Sequence, residues 1–249
     1  MRASLLLLVS AALVAQAPAA APTADQLLAK HVEARGGLAK LKELQSVRIT
    51  ARAMMGPMEM PTIIEKSAKG FRSETTVQGT SIIQAFDGTH AWMINPMMGS
   101  EAPQEITGDA VKSLQGQSDI AGPLVDSVAK GHKVEYLGRE AVGAIQAHKL
   151  KVTLKSGNVV MSFLDPDSYL EIKQLTHVEA QGQSMDIEST FEDFRKVGGI
   201  SVPFAIEQNL PGAPAPVRTV IDKVEFNVAL DATRFAMPAA KPAAAPATK

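Results

Sequence analysis

The chain contains no cysteine among its 249 residues. This excludes disulfides, thiol nucleophiles, thiolate metal sites and a lipid attached to an N-terminal cysteine. Aromatic side chains are also few, at 4% of the residues, and there is a single tryptophan. The 25 basic and 26 acidic side chains nearly cancel, so the charge balance does not predict a nucleic-acid partner.

The chain has one notable apolar run, at residues 5–14, and it follows a short positive start at Met1 and Arg2. This run is shorter than the roughly 20 residues that a membrane-spanning helix needs. Small-residue cleavage patterns follow at residues 15–17 and 18–20. The pattern predicts a signal peptide over residues 1–20, removed on export, and a periplasmic mature protein. A membrane anchor that stays in place is the alternative.

The rest of the chain divides by composition. Residues 21–237 are long enough for a single domain with a sizeable core. Residues 238–249 are almost entirely alanine and proline. Such a segment lacks large apolar side chains whose burial would offset the entropy of ordering, so we expect a flexible tail outside the domain.

Helical spacing occurs in two places. Thr23 followed by Gln26 is a capping-box pattern, and the leucines after it predict two short helices that bend at Gly36-Gly37. In residues 107–130 the apolar positions predict two further short helices, broken near Gly122-Pro123. We expect this second pair to form a lid over the rest of the domain.

Elsewhere the apolar residues alternate with polar ones, which is typical of β-strands. After residue 45, for example, Val47 and Ile49 share one face while Arg48 and Thr50 share the other. So many short strands with one helical interruption predict a strongly curved antiparallel sheet in a mainly β (α+β) fold. Beyond this first strand, we expect strands at residues 58–66, 71–77, 81–86, 90–95, 133–137, 146–154, 159–164, 169–179, 184–195, 202–209 and 217–227.

The segment from Asp87 to Pro96 joins an Asp-Gly turn signal, an amphipathic strand and the only tryptophan, Trp92. This DG-x-x-x-W-x-x-NP pattern resembles the strand after the first hairpins in the LolA-type periplasmic carriers of outer-membrane lipoproteins and their relatives. Further short motifs follow in the same order along the chain: Gly36-Gly37, Gly138-Arg139-Glu140, Gly199-Ile200-x-x-Pro203 and Phe235-x-x-Pro238.

The resemblance implies an incomplete β-barrel closed by a helical lid. It also implies a monomeric periplasmic carrier that binds acyl chains of lipoproteins or lipids in an apolar cavity and transfers them towards the outer membrane. Its partners would be that cargo together with inner- and outer-membrane transport components. A periplasmic sensor that uses the same fold to signal to a membrane partner is the alternative. The arginine that holds the lid in such carriers would correspond to Arg48 or Arg52.

Because aromatic residues are few, the expected cavity lining is mostly methionine, isoleucine, leucine and valine. The predicted ligand-binding residues lie on apolar strand faces and on the lid: Val47, Ile49, Met60, Ile64, Phe71, Ile83, Trp92, Ile94, Leu114, Leu124 and Val128.

No enzyme motif is evident. The five histidines are scattered, and the chain has no H-E-x-x-H, no G-x-S-x-G and no phosphate-binding glycine loop. Asp165-Pro166-Asp167 reads as a turn rather than as a pair of catalytic carboxylates. We therefore expect a binding protein without catalytic residues, cofactor or resident metal.

Methionines cluster in sequence around the Gly56-Pro57 turn, at positions 54, 55, 58 and 60, and again at 97 and 98. The favoured interpretation is an adaptable apolar surface. The alternative is a copper(I) site, since thioethers are soft ligands that select this ion, and Met58 and Met60 share a strand face.

Overall fold

A computed structural model describes residues 21–180, 183–210 and 212–239. The predicted signal peptide and residues 240–249 of the predicted tail lie outside the described residues.

Two short helices open the described chain, as predicted. Helix α1 (Ala24–Arg35) begins at a complete capping box, in which Thr23 and Gln26 exchange backbone and side-chain hydrogen bonds. It ends at Gly36, whose φ of 124° is accessible to glycine, and α2 (Leu38–Lys42) follows at once. The glycine pair therefore makes the bend between them.

Thirteen antiparallel strands follow in the described part of the chain. The first six are β1 (Ser46–Met55), β2 (Met58–Ser67), β3 (Phe71–Val77), β4 (Thr80–Phe86), β5 (Ala91–Asn95) and β6 (Ser100–Ile106), with a 3-10 turn at Pro96–Met98. Helix α3 (Asp109–Gln117) and a series of turns up to residue 132 lead to the rest. These are β7 (Lys133–Val142), β8 (Ile145–Thr153), β9 (Val159–Leu164), β10 (Glu171–Ala180), β11 (Gln183–Val197), β12 (Ile200–Asn209) and β13 (Val217–Phe226).

All thirteen strands belong to one sheet, in the order β6-β5-β4-β3-β2-β1-β13-β12-β11-β10-β9-β8-β7. The first and last strands pair at its centre, for example Val47 with Phe226. Strands β6 and β7 are its two edges. The curved sheet is therefore an incomplete barrel, and the predicted fold class is confirmed.

The three helices pack on one face of the sheet, which we call the inner face. Leu27 of α1 lies in a cluster with Leu150 and Leu164 of the second half of the sheet. Leu41 of α2 packs with Ile200, and α3 packs on strands β3 to β5 of the first half. Each fully buried leucine contributes about 1.5–3 kcal/mol, so α1 and α2 are firmly attached to the sheet by Leu27 and Leu41.

The opposite face, which we call the outer face, is covered in part by the chain that follows β13. There the carbonyl oxygen of Phe235 accepts a hydrogen bond from Trp92 Nε1 at 2.7 Å. The Phe235 ring lies against Gly70, where an added Cβ would be 2.8 Å from the ring. We call residues 227–239 the C-terminal segment.

The helical prediction for residues 107–130 is half right. Helix α3 forms, but residues 118–132 are turns rather than a second helix. Gly122 and Asp126 both have positive φ, at 85° and 54°, and Pro123 lacks an amide proton, so a regular helix cannot pass through them. We call residues 118–132 the crossing segment, because it takes the chain from the β6 side of the sheet to the β7 side.

Candidate functional site

The inner face of the sheet has a covered end and an open end. At the covered end Phe71, Phe86 and Ala91 pack beneath Leu114 of α3. The register places these three side by side on neighbouring strands. Towards the other end of the first half of the sheet, at Met60 of β2 and Met93 of β5, the inner-face side chains are only half-buried. The curved inner face forms a trough. The helices cover one end of this trough and leave apolar side chains accessible at the other.

Most of the predicted lining residues lie on this inner face. Val47 and Phe71 are buried, at 3% exposure each, and Ile49 and Ile64 pack beside them. Alternation along β2 places Met60 on the same face as Ile64. Of the predicted lid residues, Leu114 and Leu124 are buried, whereas Val128 is 80% exposed. Leu124 and Val128 both lie in the crossing segment, and Leu124 packs in the cluster around Leu27.

The other three lie on the outer face. Trp92 pairs with Ala85, next to the inner-face pair of Phe86 and Ala91, so it points to the opposite face. It is 2% exposed beneath the C-terminal segment. Ile83 pairs with Ile94 on the same side. Strands β4 and β5 carry apolar residues on both faces, because the C-terminal segment covers their outer face. Alternation alone therefore does not show which of the two faces is the inner one.

Three methionines lie at the turn of the β1–β2 hairpin, which is at the open end of the inner face. Met55 pairs directly with Met58, and Met60 lies two residues further along the same inner face. Their flexible thioether side chains form a surface that adapts to irregular apolar shapes. The copper(I) alternative stays a prediction, to which the register adds Met55 as a third thioether.

Neither early-strand arginine contacts the crossing segment. Arg48 pairs with Glu65 at 2.9 Å and Arg52 with Asp222 at 2.9 Å, both on the outer face. Instead Arg35, at the end of α1, donates to the carbonyl oxygens of Ser201 at 3.1 Å and Ala121 at 3.4 Å. It thus joins α1, β12 and the crossing segment. Nothing in the sequence marks this role, because both acceptors are backbone carbonyl oxygens.

Two ion pairs fix the crossing segment further. Lys130 Nζ lies 2.6 Å from Asp119 Oδ2 and donates to the Gly122 carbonyl oxygen at 2.8 Å. Lys42 of α2 pairs with Asp126 at 2.7 Å. The segment is therefore held from both sides, by its own lysine and by α2.

Several ionisable groups are partly buried near the covered end. Burial lowers the pKa of Lys66 on the inner face of β2 and of Arg35, and it raises the pKa of the Glu171 carboxyl. Among the residues that the structure describes, no three His, Asp or Glu side chains converge into a metal site.

Two recesses lie around the crossing segment. An open groove of about 370 Å³ runs between α1 and residues 124–128, lined by Leu28, Val32, Leu38 and Val128 among others. A smaller cavity of about 190 Å³ lies between α2 and the crossing segment. Both are too small or too open to enclose a long acyl chain in this conformation.

Comparison with known proteins identifies the fold. No family profile matches the sequence, and no curated protein sequence matches it. Solved structures do match: a LolA superfamily protein from Nitrosomonas europaea has a TM-score of 0.55 at 15% identity, with 87% of this chain and 98% of that one covered. The resemblance read from the sequence is thus confirmed at the level of the fold.

Two further structures agree. A DUF1329 family protein from Desulfovibrio piger has a TM-score of 0.54 at 13% identity, over 86% of this chain and 97% of that one. A domain described as an outer membrane lipoprotein-sorting protein from Vibrio parahaemolyticus has a TM-score of 0.54 at 12% identity, over 85% of this chain and 97% of that one.

In the described part of the chain, the helices are too short or too polar to span a membrane.

Proposed function

We propose that the protein is a periplasmic carrier that binds acyl chains of lipids or lipoproteins on the inner face of its sheet. The observation that supports this most is the half-covered apolar trough, with Met55, Met58 and Met60 at its open end. The predicted signal peptide and the LolA-like fold agree with this proposal.

The energetics of such binding are favourable. Each methylene removed from water contributes roughly 0.8 kcal/mol, so a sixteen-carbon chain gains on the order of 12 kcal/mol before ordering costs. The trough must widen to accept it, and α3, which packs over Phe71 and Phe86, is the element placed to move. Binding and release are then a conformational step and need no catalytic residue.

The first experiment is extraction of the mature protein, purified from a Gram-negative periplasm without detergent, followed by mass spectrometry of the organic phase. We expect a stoichiometric lipid or a co-purified acylated protein. A lipid-free protein that also takes up no fluorescent fatty acid would contradict the proposal.

A matched pair of variants tests the site. Met60→Glu places a charge on the inner face, and we expect fatty-acid affinity to fall at least about tenfold, which corresponds to 1.4 kcal/mol. Ile63→Glu is the control, because Ile63 lies on the outer face of the same strand and is 38% exposed. Equal affinities in the two variants would remove the inner face as the binding site.

A further inference from the structure

Lys66 differs from every other side chain on the inner face of β2. It pairs with Val47 on one side and Phe71 on the other, and both are 3% exposed. The Lys66 side chain, which is partly exposed, therefore leaves the strand at the covered end of the trough, beside two side chains that offer it no hydrogen bond.

Its neighbours do not neutralise it. Among the described residues, no hydrogen bond or ion pair to the Lys66 ammonium is present. The carboxylate that acts on it most strongly, Asp119, already accepts from Lys130 at 2.6 Å. The other charge that acts on it is the Arg35 guanidinium, which repels it.

A partly buried cation without a partner is costly, and desolvation accordingly lowers the pKa of Lys66. Asp119 opposes this shift and Arg35 adds to it. An anion placed beside Lys66 would offset the desolvation cost of the ammonium and its repulsion by Arg35.

On the basis of the proposed function, we infer that Lys66 binds the anionic head group of the ligand, whose acyl chain extends past Ile64 and Met60 towards the open end. Ile64, Thr62 and Met60 follow Lys66 along the same face of β2 at intervals of two residues. The ligand class is thus an acyl amphiphile with a carboxylate or a phosphate head.

Competition for a neutral fluorescent naphthylamine probe tests this inference. The competitors share a twelve-carbon chain and differ in the head: laurate, dodecyl phosphate and a neutral monolaurin. For the unmodified protein we expect at least one anionic competitor to displace the probe at about tenfold lower concentration than monolaurin, since a charge-assisted contact supports this difference. Which anion is preferred distinguishes a carboxylate ligand from a phosphate ligand.

Lys66→Met should reduce the preference for the anion to less than about twofold while the affinity for the probe is kept. Lys66→Arg should retain the preference for the anion. Lys69→Met is the matched control, because Lys69 is exposed in the turn after the same strand. A preference that persists in Lys66→Met would overturn the inference and leave the carrier function intact. If the unmodified protein does not bind the probe or any competitor, the carrier function itself fails.

Discussion

His31 shows how one side chain can make stability depend on pH. It lies on α1 at 1% exposure, with Nδ1 2.9 Å from the Tyr169 carbonyl oxygen. Burial lowers its pKa from 6.5 to about 4; Arg35 adds to the shift and the hydrogen bond to Tyr169 opposes it. The imidazole is therefore neutral in the folded protein at neutral pH, and Nδ1 donates to the carbonyl.

We predict that the free energy of unfolding falls as the pH is lowered from 6.5 to about 4. The pKa in the folded state is below that of the unfolded chain, so the unfolded chain binds more protons in this window. The loss attributable to His31 is up to about 3 kcal/mol, measured by urea denaturation across the pH range.

The variant His31→Asn retains a donor near the Nδ1 position and removes the titrating group, so its stability should depend less steeply on pH. His90→Gln is the control, because His90 is 62% exposed. If His31→Asn and the unmodified protein show the same slope, His31 is not the group responsible.

Among the elements, the C-terminal segment is the one that secures the outer face. The Glu65 carboxylate, whose side chain is 1% exposed, pairs with Arg48 at 2.9 Å and with Arg234 at 2.7 Å. Next to Arg234, Phe235 covers Gly70 and Trp92. The segment therefore connects the end of the chain to strands β2 to β5 by both charge and packing.

We predict that Phe235→Ala detaches the segment locally from Trp92. Tryptophan emission should shift to longer wavelength and become more accessible to acrylamide, and the free energy of unfolding should fall by about 3–5 kcal/mol. Met237→Ala is the control, because this residue is 41% exposed two positions later. Unchanged emission in Phe235→Ala would show that the segment does not shield Trp92.

The accuracy of the sequence prediction differs between elements for physical reasons. Strand β3 was predicted with its observed bounds, because a turn signal with glycine lies at each end of it, at Gly70 and Gly79. Strand β6 was missed, since Ser-Glu-Ala-Pro-Gln-Glu-Ile lacks an apolar face, and proline and charge are tolerated there only because it is an edge strand.

The site was predictable in part. Alternation grouped Val47 with Ile49 and Trp92 with Ile94, but assigning either group to the inner face requires knowledge of what covers the other face. For Trp92 this is Phe235, which is far away in the sequence. The role of Arg35 was equally hidden, because its partners are backbone carbonyls, which carry no side-chain signature.

At the scale of the whole molecule, the sheet has a strongly paired centre and weakly paired edges. Strand β1 is paired along nearly its full length with both β2 and β13. Strand β6 has four pairs, all with β5, and one interruption in register.

We predict that hydrogen exchange follows this order. Amides of β1 should exchange at least about a hundredfold more slowly than amides of β6, because local opening free energies range from near zero at edges to the global value at the centre. Mass spectrometry of peptides after exchange measures the difference. Equal protection in the two strands would mean that something else covers the β6 edge.

The pairing of β1 with β13 also affects how the chain reaches this fold. Val47 and Phe226 are neighbours in the sheet although about 180 positions separate them. Closing a loop of that length costs roughly 4–5 kcal/mol of chain entropy, and strand pairs of such high contact order form slowly. Strands β1 to β6 and strands β7 to β13 can each form early from local hairpins. The central seam between these two groups, the pair of β1 with β13, requires the last strand. Folding should therefore be limited by closure of this seam, and until then β1 presents an unpaired edge to other chains.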